Sequence, residues 1–424
     1  MKTPGMHIFV AGVNHSTTPI EIREKLAVST SQISNALDIL GDYVQQGIIL
    51  STCNRTEIYS VGKSNSILQT GNIAFFKKWS KLPETDLLPY FYFYQDEAAV
   101  KHLFRVAAGL DSMIIGEFEI LGQVKQSLEE AEKADLVDLP LRNLFLHALQ
   151  VGRRVRERTG ISKNALSVSS VAVDLAVKAI GDLNNRKALI IGTGEAGRLV
   201  AKALKERGIS QITVTSRSQD NASGLATALE GKAVNISNLS KELGICDIVI
   251  SCTGAPHTIL DHQTVEDAMM NTRSHRPLVL IDIAVPRDIA PETRQIRNIF
   301  LYDIDDLIHL SELNRKQREK EVYSATKIIE AEVNRFNSWW QSAEVKPVIK
   351  NLTQKVEAIR RRQLELTLKR LPPLSSEELA RLEAMTKSIV QKILHDPIQC
   401  LKENATDNDD YISLVNELFR LDKE

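Results

Sequence analysis

The sequence has few of the residues that build covalent or metal-linked scaffolds. It contains four cysteines among 424 residues, and none of them falls in a C-x-x-C pair. No Cys/His group has zinc-ligand spacing, so neither a disulfide framework nor a structural zinc site is expected, and no metal is predicted. Each cysteine has to be judged from its own surroundings; the four are Cys53, Cys246, Cys252 and Cys400.

Net charge and long apolar runs are also missing. Lys and Arg total 53 against 54 Asp and Glu, a formal net charge of −1, so no global field draws the chain to nucleic acid or to a membrane. Apolar stretches such as 188–191 fall far short of the ~20 residues that cross a bilayer. The segment MKTPGMHIFVAGVNH lacks the apolar stretch of a signal peptide. These features predict a cytoplasmic protein without membrane contact.

Hydrophobic residues make up 43% of the chain, and its length predicts roughly 3 domains of ~150 residues. Strand and helix patterns mix in 1–162, which predicts an α/β domain. In 163–310 they alternate as in a parallel, doubly wound sheet, which predicts a Rossmann-type domain. Strand signals end near 311, so we predict an α/β multidomain protein with an all-helical C-terminal domain, 311–424. Its apolar stripes favour dimerisation, and a monomeric helical domain is the alternative.

A glycine-rich segment follows the predicted strand 187–191 and opens a predicted helix. It fits G-x-G-x-x-G, in which the glycines permit a tight turn, approach to a pyrophosphate and close helix packing. The helix N-terminus then offers free N–H groups to phosphate. A purely structural glycine turn is the alternative. The predicted cofactor-binding residues of this loop are Gly192, Thr193, Gly194, Glu195, Ala196 and Gly197.

The next predicted strand ends at Thr215, where a dinucleotide site that prefers NAD would carry an acidic residue for the ribose 2′-hydroxyl. Ser216 and Arg217 stand there instead. Both suit a 2′-phosphate, so we predict NADPH as the cofactor; for Arg217 a solvated turn residue is the alternative. Cys252, in SCTGAP (251–256), is expected to be a small buried residue rather than a reactant.

Cys53 lies in LSTCNRTEIY (50–59), at a predicted junction of strand and turn. A thiol becomes nucleophilic where a cation or backbone N–H groups stabilise its thiolate, and Arg55 is two residues away. From this segment alone, a nucleophile and a bland buried thiol are equally supported. A nucleophilic cysteine beside a nicotinamide-type domain suits thioester formation followed by reduction. Ordinary alcohol or ketone hydride transfer, which needs no cysteine, is the alternative.

Seven segments between residues 12 and 289 carry a family resemblance: GVNHSTTPIEIREKL (12–26), LSTCNRTEIY (50–59), HLFRVAAGLDSMIIGEFEILGQVK (102–125), ALSVSSVAVDLA (165–176), IGTGEAG (191–197), SCTGAP (251–256) and IDIAVPRDI (281–289). Together they resemble the glutamyl-tRNA reductases, which begin tetrapyrrole synthesis from glutamate. The C-terminal part is similar only in its helical pattern. The resemblance implies NADPH-dependent reduction of glutamyl-tRNA(Glu) to glutamate-1-semialdehyde, with a thioester on Cys53 and release of tRNA.

The resemblance also implies the site. Residues 1–162 become the catalytic, glutamyl-tRNA-binding domain and 163–310 the NADPH-binding domain. Cys53 and His102 are the implied catalytic residues. His102 would accept the thiol proton or polarise the acyl oxygen, and a structural histidine is the alternative. Arg55 would pair with a substrate carboxylate. The implied substrate-binding residues are Thr52, Cys53, Asn54, Arg55, Ser112, Glu117, Phe118, Glu119 and Gln123.

Other family segments receive weaker expectations. Asn14 and His15 border the expected site without an assigned step. The basic run 153–158 would meet tRNA phosphates or form a solvated helix face. Asp282, Pro286 and Arg287 are assigned a hinge or cofactor role that the sequence does not resolve, and domain motion is expected about 160–170.

The expected partners are glutamyl-tRNA(Glu) and a second copy of the chain. Direct transfer of the product to glutamate-1-semialdehyde aminotransferase is left open. Two other functions are weighed: a tRNA-binding or regulatory homologue without hydride transfer, and a shikimate-type NADP dehydrogenase. The first is disfavoured by Cys53, Arg55 and the complete glycine motif. The second gives the STCNR segment no role.

Overall fold

The structure, a computed structural model, describes residues 6–162, 168–272, 276–307, 319–403 and 409–421. The chain forms two compact units, one covering Ile8–Glu330 and the other consisting chiefly of Ala331–Glu424. We call 6–162 the N-terminal module and 168–307 the central module; both belong to the first unit.

The N-terminal module is built on a sheet of strand order β2-β3-β1-β4. Strand β1 runs antiparallel to β4, with Gly12 opposite Tyr92, and β2 runs antiparallel to β3, with Ile49 opposite Ile58. The elements of this module are β1 (His7–Asn14), α1 (Ile20–Leu26), α2 (Ile33–Gly41), β2 (Gly47–Ser51), β3 (Arg55–Gly62), α3 (Asn65–Ser80), α4 (Glu84–Leu87), β4 (Tyr92–Gln95), α5 (Asp96–Ala107), α6 (Glu119–Lys133) and α7 (Leu139–Arg158).

The central module contains a parallel sheet of order β10-β9-β8-β5-β6-β7. The chain winds outward from β5 on both sides, so the strand order reverses between β5 and β8, where doubly wound sheets open a ligand crevice. Its elements are α8 (Val168–Ile180), β5 (Lys187–Ile191), α9 (Glu195–Glu206), β6 (Gln211–Ser216), α10 (Gln219–Ala228), β7 (Lys232–Asn235), α11 (Leu239–Ile245), β8 (Ile248–Ser251), α12 (His262–Thr272), β9 (Leu278–Asp282) and β10 (Ile299–Asp303).

The inner strands of the central sheet are buried on both faces, which explains their continuous apolar sequences. Alternate residues point to opposite faces, so Ala188 and Ile190 join one apolar cluster and Leu189 and Ile191 another. The first cluster, which we call the shared cluster, also includes Ile20, Met113 and Ile114 of the N-terminal module. The two modules therefore have a continuous apolar contact.

The C-terminal helices are α13 (Glu319–Leu368), α14 (Ser376–Glu403) and α15 (Asp409–Phe419). In the sequence, Pro347, Pro372 and Pro373 punctuate the helical pattern of this region. Pro372 and Pro373 lie in the break between α13 and α14, whereas α13 continues through Pro347. On α14, Met385, Ile389 and Ile393 are about half exposed or more and recur at helical spacing. This exposed stripe is typical of a helix that lacks a partner within its own chain.

The segment 29–40 has the sequence pattern of a helix capped by Ser29 or Ser31. In the structure that prediction is wrong, because α2 begins at Ile33 after Gln32, which makes no side-chain capping bond. The Ser29 hydroxyl donates to Gln32 Oε1 instead (2.8 Å). Strand β7 was not predicted, since its four residues are too short for a clear pattern. Among the described helices, none combines the length and apolarity needed to cross a membrane.

Candidate active site

Cys53 lies in the turn that joins β2 to β3. The Thr52 hydroxyl accepts hydrogen bonds from the backbone N–H groups of Asn54 (3.1 Å) and Arg55 (3.2 Å), and Thr52 N–H donates to the Arg55 carbonyl (2.8 Å). A polar side chain that satisfies the backbone in this way stabilises a tight turn. Arg23 Nη1 donates to the Cys53 carbonyl (2.9 Å). The peptide that carries the thiol is therefore fixed from both sides.

The thiol of Cys53 is partly buried and packs against the shared cluster. Burial, followed by the negative charges of Glu117 and Glu119, raises its pKa to about 12, although Arg23 acts in the opposite direction. The resting thiol is consequently protonated at neutral pH. A nucleophilic role requires that the thiol lose its proton when a substrate binds.

Glu57 is fully buried in β3 and was not predicted as a site residue. Its carboxylate accepts hydrogen bonds from Arg55 Nη1 (2.8 Å) and His102 Nε2 (2.8 Å). The hydroxyls of Tyr59 (2.6 Å) and Tyr92 (2.5 Å) also donate to it. Burial opposes ionisation, but Arg55 and His102 bring the pKa of Glu57 well below its usual range. The carboxylate is therefore a fixed negative charge around which these side chains are arranged.

Arg55 is 2% exposed, so it is a buried arginine and not a solvated turn residue. Besides Glu57, it meets the Asp111 carbonyl, to which Nη2 donates (2.6 Å). Its Nε is buried and has no hydrogen-bond partner among the described residues. Nη1 and Nη2 each carry a second N–H, so Arg55 keeps donors beyond its bonds to Glu57 and Asp111.

His102 lies on α5 and is buried, with its Nε2 engaged by Glu57. Its Nδ1 is 3.8 Å from Asp111 Oδ2, and its ring lies 4.6 Å from that of Tyr94, centroid to centroid. These contacts are those expected of a structural histidine, which is the alternative to a catalytic role for His102. A role in proton transfer to or from Cys53 stays a prediction.

A cavity of about 720 Å³ opens beside this network. The backbone N–H of His15 donates to the Asn54 carbonyl (2.9 Å), which connects the cavity wall to the Cys53 turn. Of the predicted site residues, His102 and Ser112 line the cavity. Its lining consists of Asn14, His15, Ser16, Tyr94, Ala98, Lys101, His102, Arg105, Leu110, Asp111, Ser112, Met113 and Ile115.

Several buried polar atoms around the cavity and the turn have no hydrogen-bond partner within the described chain. They are His15 Nδ1, Asn54 Oδ1, Arg55 Nε and Glu119 Oε1. Burial, followed by Arg55 and Arg23, lowers the pKa of His15 to about 4, so its imidazole is neutral at pH 7. Buried polar groups are nearly always paired. A bound ligand or water can pair with polar groups of this kind.

The predicted segment 117–119 divides between core and surface. Glu117 is buried, which raises its pKa, whereas Phe118 is 64% exposed. Burial and the charges of Glu117 and Glu195 raise the pKa of Glu119 to about 7. Gln123 lines a separate cavity of about 60 Å³ next to Ser51. The structure thus brings Glu117 and Glu119 near Cys53 but does not bring Phe118 or Gln123 into the large cavity.

A second cavity, about 560 Å³, lies at the reversal point of the central sheet. Gly192 has a φ of 117°, and a Cβ there would lie 2.7 Å from the Cys252 carbonyl. A Cβ on Gly197 would collide with the Gly192 carbonyl, whereas one on Gly194 would meet nothing within 4 Å. Helix α9 begins after Gly194 without a side-chain cap. The free N–H groups and the open space fit a pyrophosphate.

The far side of this cavity carries the predicted selectivity residues. Ser216 and Arg217 line it together with Gly192, Thr193 and Gly194. Glu195, Ala196 and Gly197 form the first turn of α9 and are not among the lining residues. No acidic side chain lines the described cavity, so the predicted preference for a 2′-phosphate is consistent with its chemistry.

Comparison with known proteins covers nearly all of the chain. Residues 11–159 match the family model of the glutamyl-tRNA(Glu) reductase N-terminal domain, 174–310 that of shikimate / quinate 5-dehydrogenase, and 324–421 that of the glutamyl-tRNA(Glu) reductase dimerisation domain. The glutamyl-tRNA reductase of Geotalea daltonii is 41% identical, covering 98% of this chain and 97% of its own. That of Bacillus subtilis is 39% identical over 99% and 92%. This chain belongs to the glutamyl-tRNA reductase family.

A solved glutamyl-tRNA reductase, from Methanopyrus kandleri, superposes over the full length of both chains with 28% identity and a TM-score of 0.53. The predicted family, the fold class with its Rossmann-type sheet and the dehydrogenase-type enzyme class are therefore confirmed. The shikimate-type alternative is not favoured, because its model matches the central module alone. The predicted domain boundaries and the roles of individual residues stay predictions.

Within this glutamyl-tRNA reductase fold, IDIAVPRDI has a structural task. Asp288 accepts hydrogen bonds from the hydroxyls of Ser251 (2.6 Å) and Thr253 (2.6 Å) and from Thr253 N–H (2.9 Å). Asp282 accepts the N–H groups of Ala284 (3.0 Å) and Ile289 (2.8 Å). These bonds fix the SCTG segment along the cofactor cavity.

The basic run 153–158 on α7 is partly buried and partly exposed. Arg156 donates to the carbonyls of Ala107 (2.8 Å) and Glu117 (2.9 Å), which makes it part of the protein interior. Arg153 and Arg158 are exposed. In the described parts of the chain, no His, Cys, Asp and Glu side chains are grouped as metal ligands.

Proposed function

We propose that this chain catalyses the NADPH-dependent reduction of glutamyl-tRNA(Glu) to glutamate-1-semialdehyde, with Cys53 as the covalent nucleophile. The observation that carries the proposal is the position of Cys53: it lies on a fixed turn and packs on the cluster it shares with the module that carries the glycine loop. Family membership supports the substrate. The reaction would supply tetrapyrrole synthesis.

In the first half-reaction, the Cys53 thiolate attacks the ester carbonyl carbon that joins glutamate to the terminal ribose. The ester C–O bond breaks, the ribose oxygen takes a proton, and the glutamyl group remains on sulfur. The α-ammonium of the glutamyl group, placed beside Glu117 and Glu119, would cancel the charges that raise the thiol pKa. Binding of the substrate would thus lower the thiol pKa through these two charges, whereas burial, the larger cause, would remain.

The substrate contacts are proposed for Thr52, Asn54, Arg55, Ser112, Glu117, Phe118, Glu119 and Gln123. Arg55 is proposed to offer its guanidinium to the glutamyl carboxylate, a charge-assisted contact. Glu57 orients Arg55 and His102 in this arrangement. His102 is proposed to act at the acyl group while Glu57 fixes its ring.

The cofactor would lie in the central cavity, held by the residues of the glycine loop and by Ser216 and Arg217. NADPH, when bound, supplies the hydride that reduces the thioester to the aldehyde. The chain itself provides the phosphate-binding backbone of α9 and a cation for the 2′-phosphate. Glu119 of the N-terminal module and Glu195 of α9 interact electrostatically, so the two sites are neighbours.

The chain is proposed to act as a homodimer through 311–424, since the stripe of Met385, Ile389 and Ile393 is exposed in the single chain and the matching family model is a dimerisation domain. Arg153 and Arg158 are candidates for tRNA phosphates. Because the product aldehyde is reactive, direct transfer to glutamate-1-semialdehyde aminotransferase is proposed as a further contact.

The decisive experiment follows both half-reactions with glutamyl-tRNA labelled in the glutamyl group. Without NADPH, wild type should release tRNA and gain one glutamyl mass on Cys53; Cys53→Ser should lose at least ~10³ in rate. Cys400→Ser, an exposed cysteine, is the matched control and should match wild type. With NADPH, wild type should yield the semialdehyde. Binding of tRNA without acylation would favour the regulatory homologue, and turnover of shikimate the dehydrogenase.

A further inference from the structure

Helix α1 of the N-terminal module carries charged side chains that contact the central module. Arg23 is buried and uses each arm of its guanidinium differently: Nε donates to the Thr18 carbonyl (3.1 Å) and Nη1 to the Cys53 carbonyl (2.9 Å). Its Nη2 pairs with Asp305, which follows β10 of the central module. One side chain thus links the peptide of the nucleophile to the neighbouring module.

Glu24, the next residue of α1, makes a second contact with the central module. Glu24 and Arg287 form a bidentate pair, with Nε to Oε2 and Nη2 to Oε1 both at 2.9 Å. Arg287 follows β9, and its side chain is 13% exposed. Glu21 adds a weaker contact at 3.4 Å. Parallel, partly buried bonds of this kind are among the stronger ion pairs and fix orientation as well as distance.

Helix α1 also makes an apolar contact with the central module. Ile20, the first residue of α1, belongs to the shared cluster, and Cys53 packs against the same cluster. The helix therefore meets the central module through one apolar and two charged contacts. We call the pairs Arg23–Asp305 and Glu24–Arg287 the α1 clasp. The sequence singled out Arg287 but could not distinguish a hinge from a cofactor role.

We propose that the α1 clasp positions the central module against Cys53, so that the acyl group on sulfur is reduced rather than hydrolysed. This inference rests on the proposed function. The acyl carbon has two fates. If it accepts the hydride of NADPH, the C–S bond breaks, sulfur takes a proton, and aldehyde, thiol and NADP⁺ are released. If water attacks, the C–S bond also breaks, but the products are free glutamate and the thiol. When the two modules lie close together, reduction by NADPH is favoured and water is kept away from the acyl carbon.

The test uses the full-length protein with Glu24→Gln and Arg287→Gln, which open the bidentate pair without touching the guanidinium on Cys53. Arg294→Gln is the matched control, because Arg294 pairs with Asp303 and Asp306 inside the central module. The product ratio of semialdehyde to glutamate is measured with NADPH. It should fall about fivefold in both clasp variants and stay unchanged in the control. The double variant Glu24→Arg with Arg287→Glu should restore it.

A second readout needs neither cofactor nor tRNA. If the clasp holds the modules together, opening it should expose Cys53, and its alkylation by iodoacetamide, followed by peptide mass, should rise about fivefold. Alkylation of Cys400, which is exposed already, should not change. An unchanged product ratio together with unchanged Cys53 alkylation would overturn the proposal.

Failure of this inference can be separated from failure of the proposed function. The NADPH-free acylation of Cys53 is recorded for every variant. If wild type itself acquires no glutamyl group, the proposed function is wrong. If acylation is normal throughout and the clasp variants partition like wild type, the function stands and the clasp has no part in it. Equal losses of acylation and reduction would assign α1 a merely structural role and contradict the proposal.

Discussion

The two turns that follow β2 and β5 each come after a buried strand, but they are closed by opposite means. The turn at Cys53 is fixed by side chains: Thr52 satisfies its backbone, and Arg23 binds its carbonyl. The turn at Gly192 is fixed by the lack of side chains, since a Cβ would meet the Cys252 carbonyl. Covalent chemistry needs a reactive group held in place by charged neighbours, whereas a phosphate needs bare backbone and space.

The largest expected effect comes from neutralising Glu57, the buried carboxylate that Arg55 and His102 contact. Glu57→Gln would leave Arg55 buried without its counter-ion, a loss that typically costs about 3–5 kcal/mol in the free energy of unfolding. Cys53 acylation should also fall, because Arg55 and His102 lose the negative charge that both of them contact. Urea denaturation measures the first effect. The matched control Tyr59→Phe removes one hydrogen bond to the same carboxylate and should cost only about 1 kcal/mol. Equal losses in the two variants would argue against a central role for Glu57.

The glycine-rich loop of the cofactor cavity is tested by two substitutions that differ in where the new methyl group points. In Gly194→Ala it enters open space, so thermal stability should stay within about 2 °C of wild type. NADPH affinity should nevertheless fall about tenfold, because that space is needed by phosphate. In Gly197→Ala the methyl group meets the Gly192 carbonyl, and the protein should lose about 2 kcal/mol of stability. Fluorescence titration and thermal melting separate the two. Unaltered NADPH binding in Gly194→Ala would contradict the phosphate assignment.

Arg217 follows β6 and adds a positive charge to the cavity that the Gly192 turn also lines. Arg217→Gln should weaken NADPH binding about tenfold, equivalent to ~1.4 kcal/mol, and change NADH binding less than twofold. The reason is that NADH lacks the 2′-phosphate that the guanidinium would meet. Titrations with both dinucleotides give the ratio. A parallel loss for the two would show that Arg217 shapes the cavity instead of selecting the cofactor.

The smallest expected effect concerns the thiol itself. The charge of Glu119 raises the pKa of Cys53, so Glu119→Gln should lower that pKa and increase alkylation about threefold at pH 8. Glu119 has a pKa of about 7. Its charge is present above that pH and is lost as the pH falls through it, so variant and wild type should converge below pH 6. Cys400 is the internal reference. A pH-independent difference would implicate a structural change rather than charge.

How far the sequence predicts this site depends on whether the interaction is local. The strand, glycines and helix of the cofactor loop lie within about ten residues, so their arrangement follows from the order of residues alone. Glu57 was missed, although it lies four residues from Cys53. Its partners Tyr92 and His102 come from distant elements, and that meeting depends on the pairing of four strands.

A local signal for Glu57 did exist. Arg55, Glu57 and Tyr59 alternate along β3, so they point to one face of the sheet. Two opposite charges at such spacing in a strand with buried neighbours indicate a buried pair rather than a solvated one. The crossing contacts of Arg23 and Arg287 had no such signal, since each joins residues more than 260 positions apart.

The alternation along β3 has a consequence for anyone who redesigns this protein. Deleting or inserting a single residue between Arg55 and Tyr59 would send every later side chain of the strand to the opposite face. An insertion before Glu57 would turn its carboxylate away from Arg55, Tyr92 and His102 together, not one at a time. Loop lengths elsewhere in the molecule are open to engineering, but the segment from Arg55 to Tyr59 has to be transferred as one unit, without insertions or deletions.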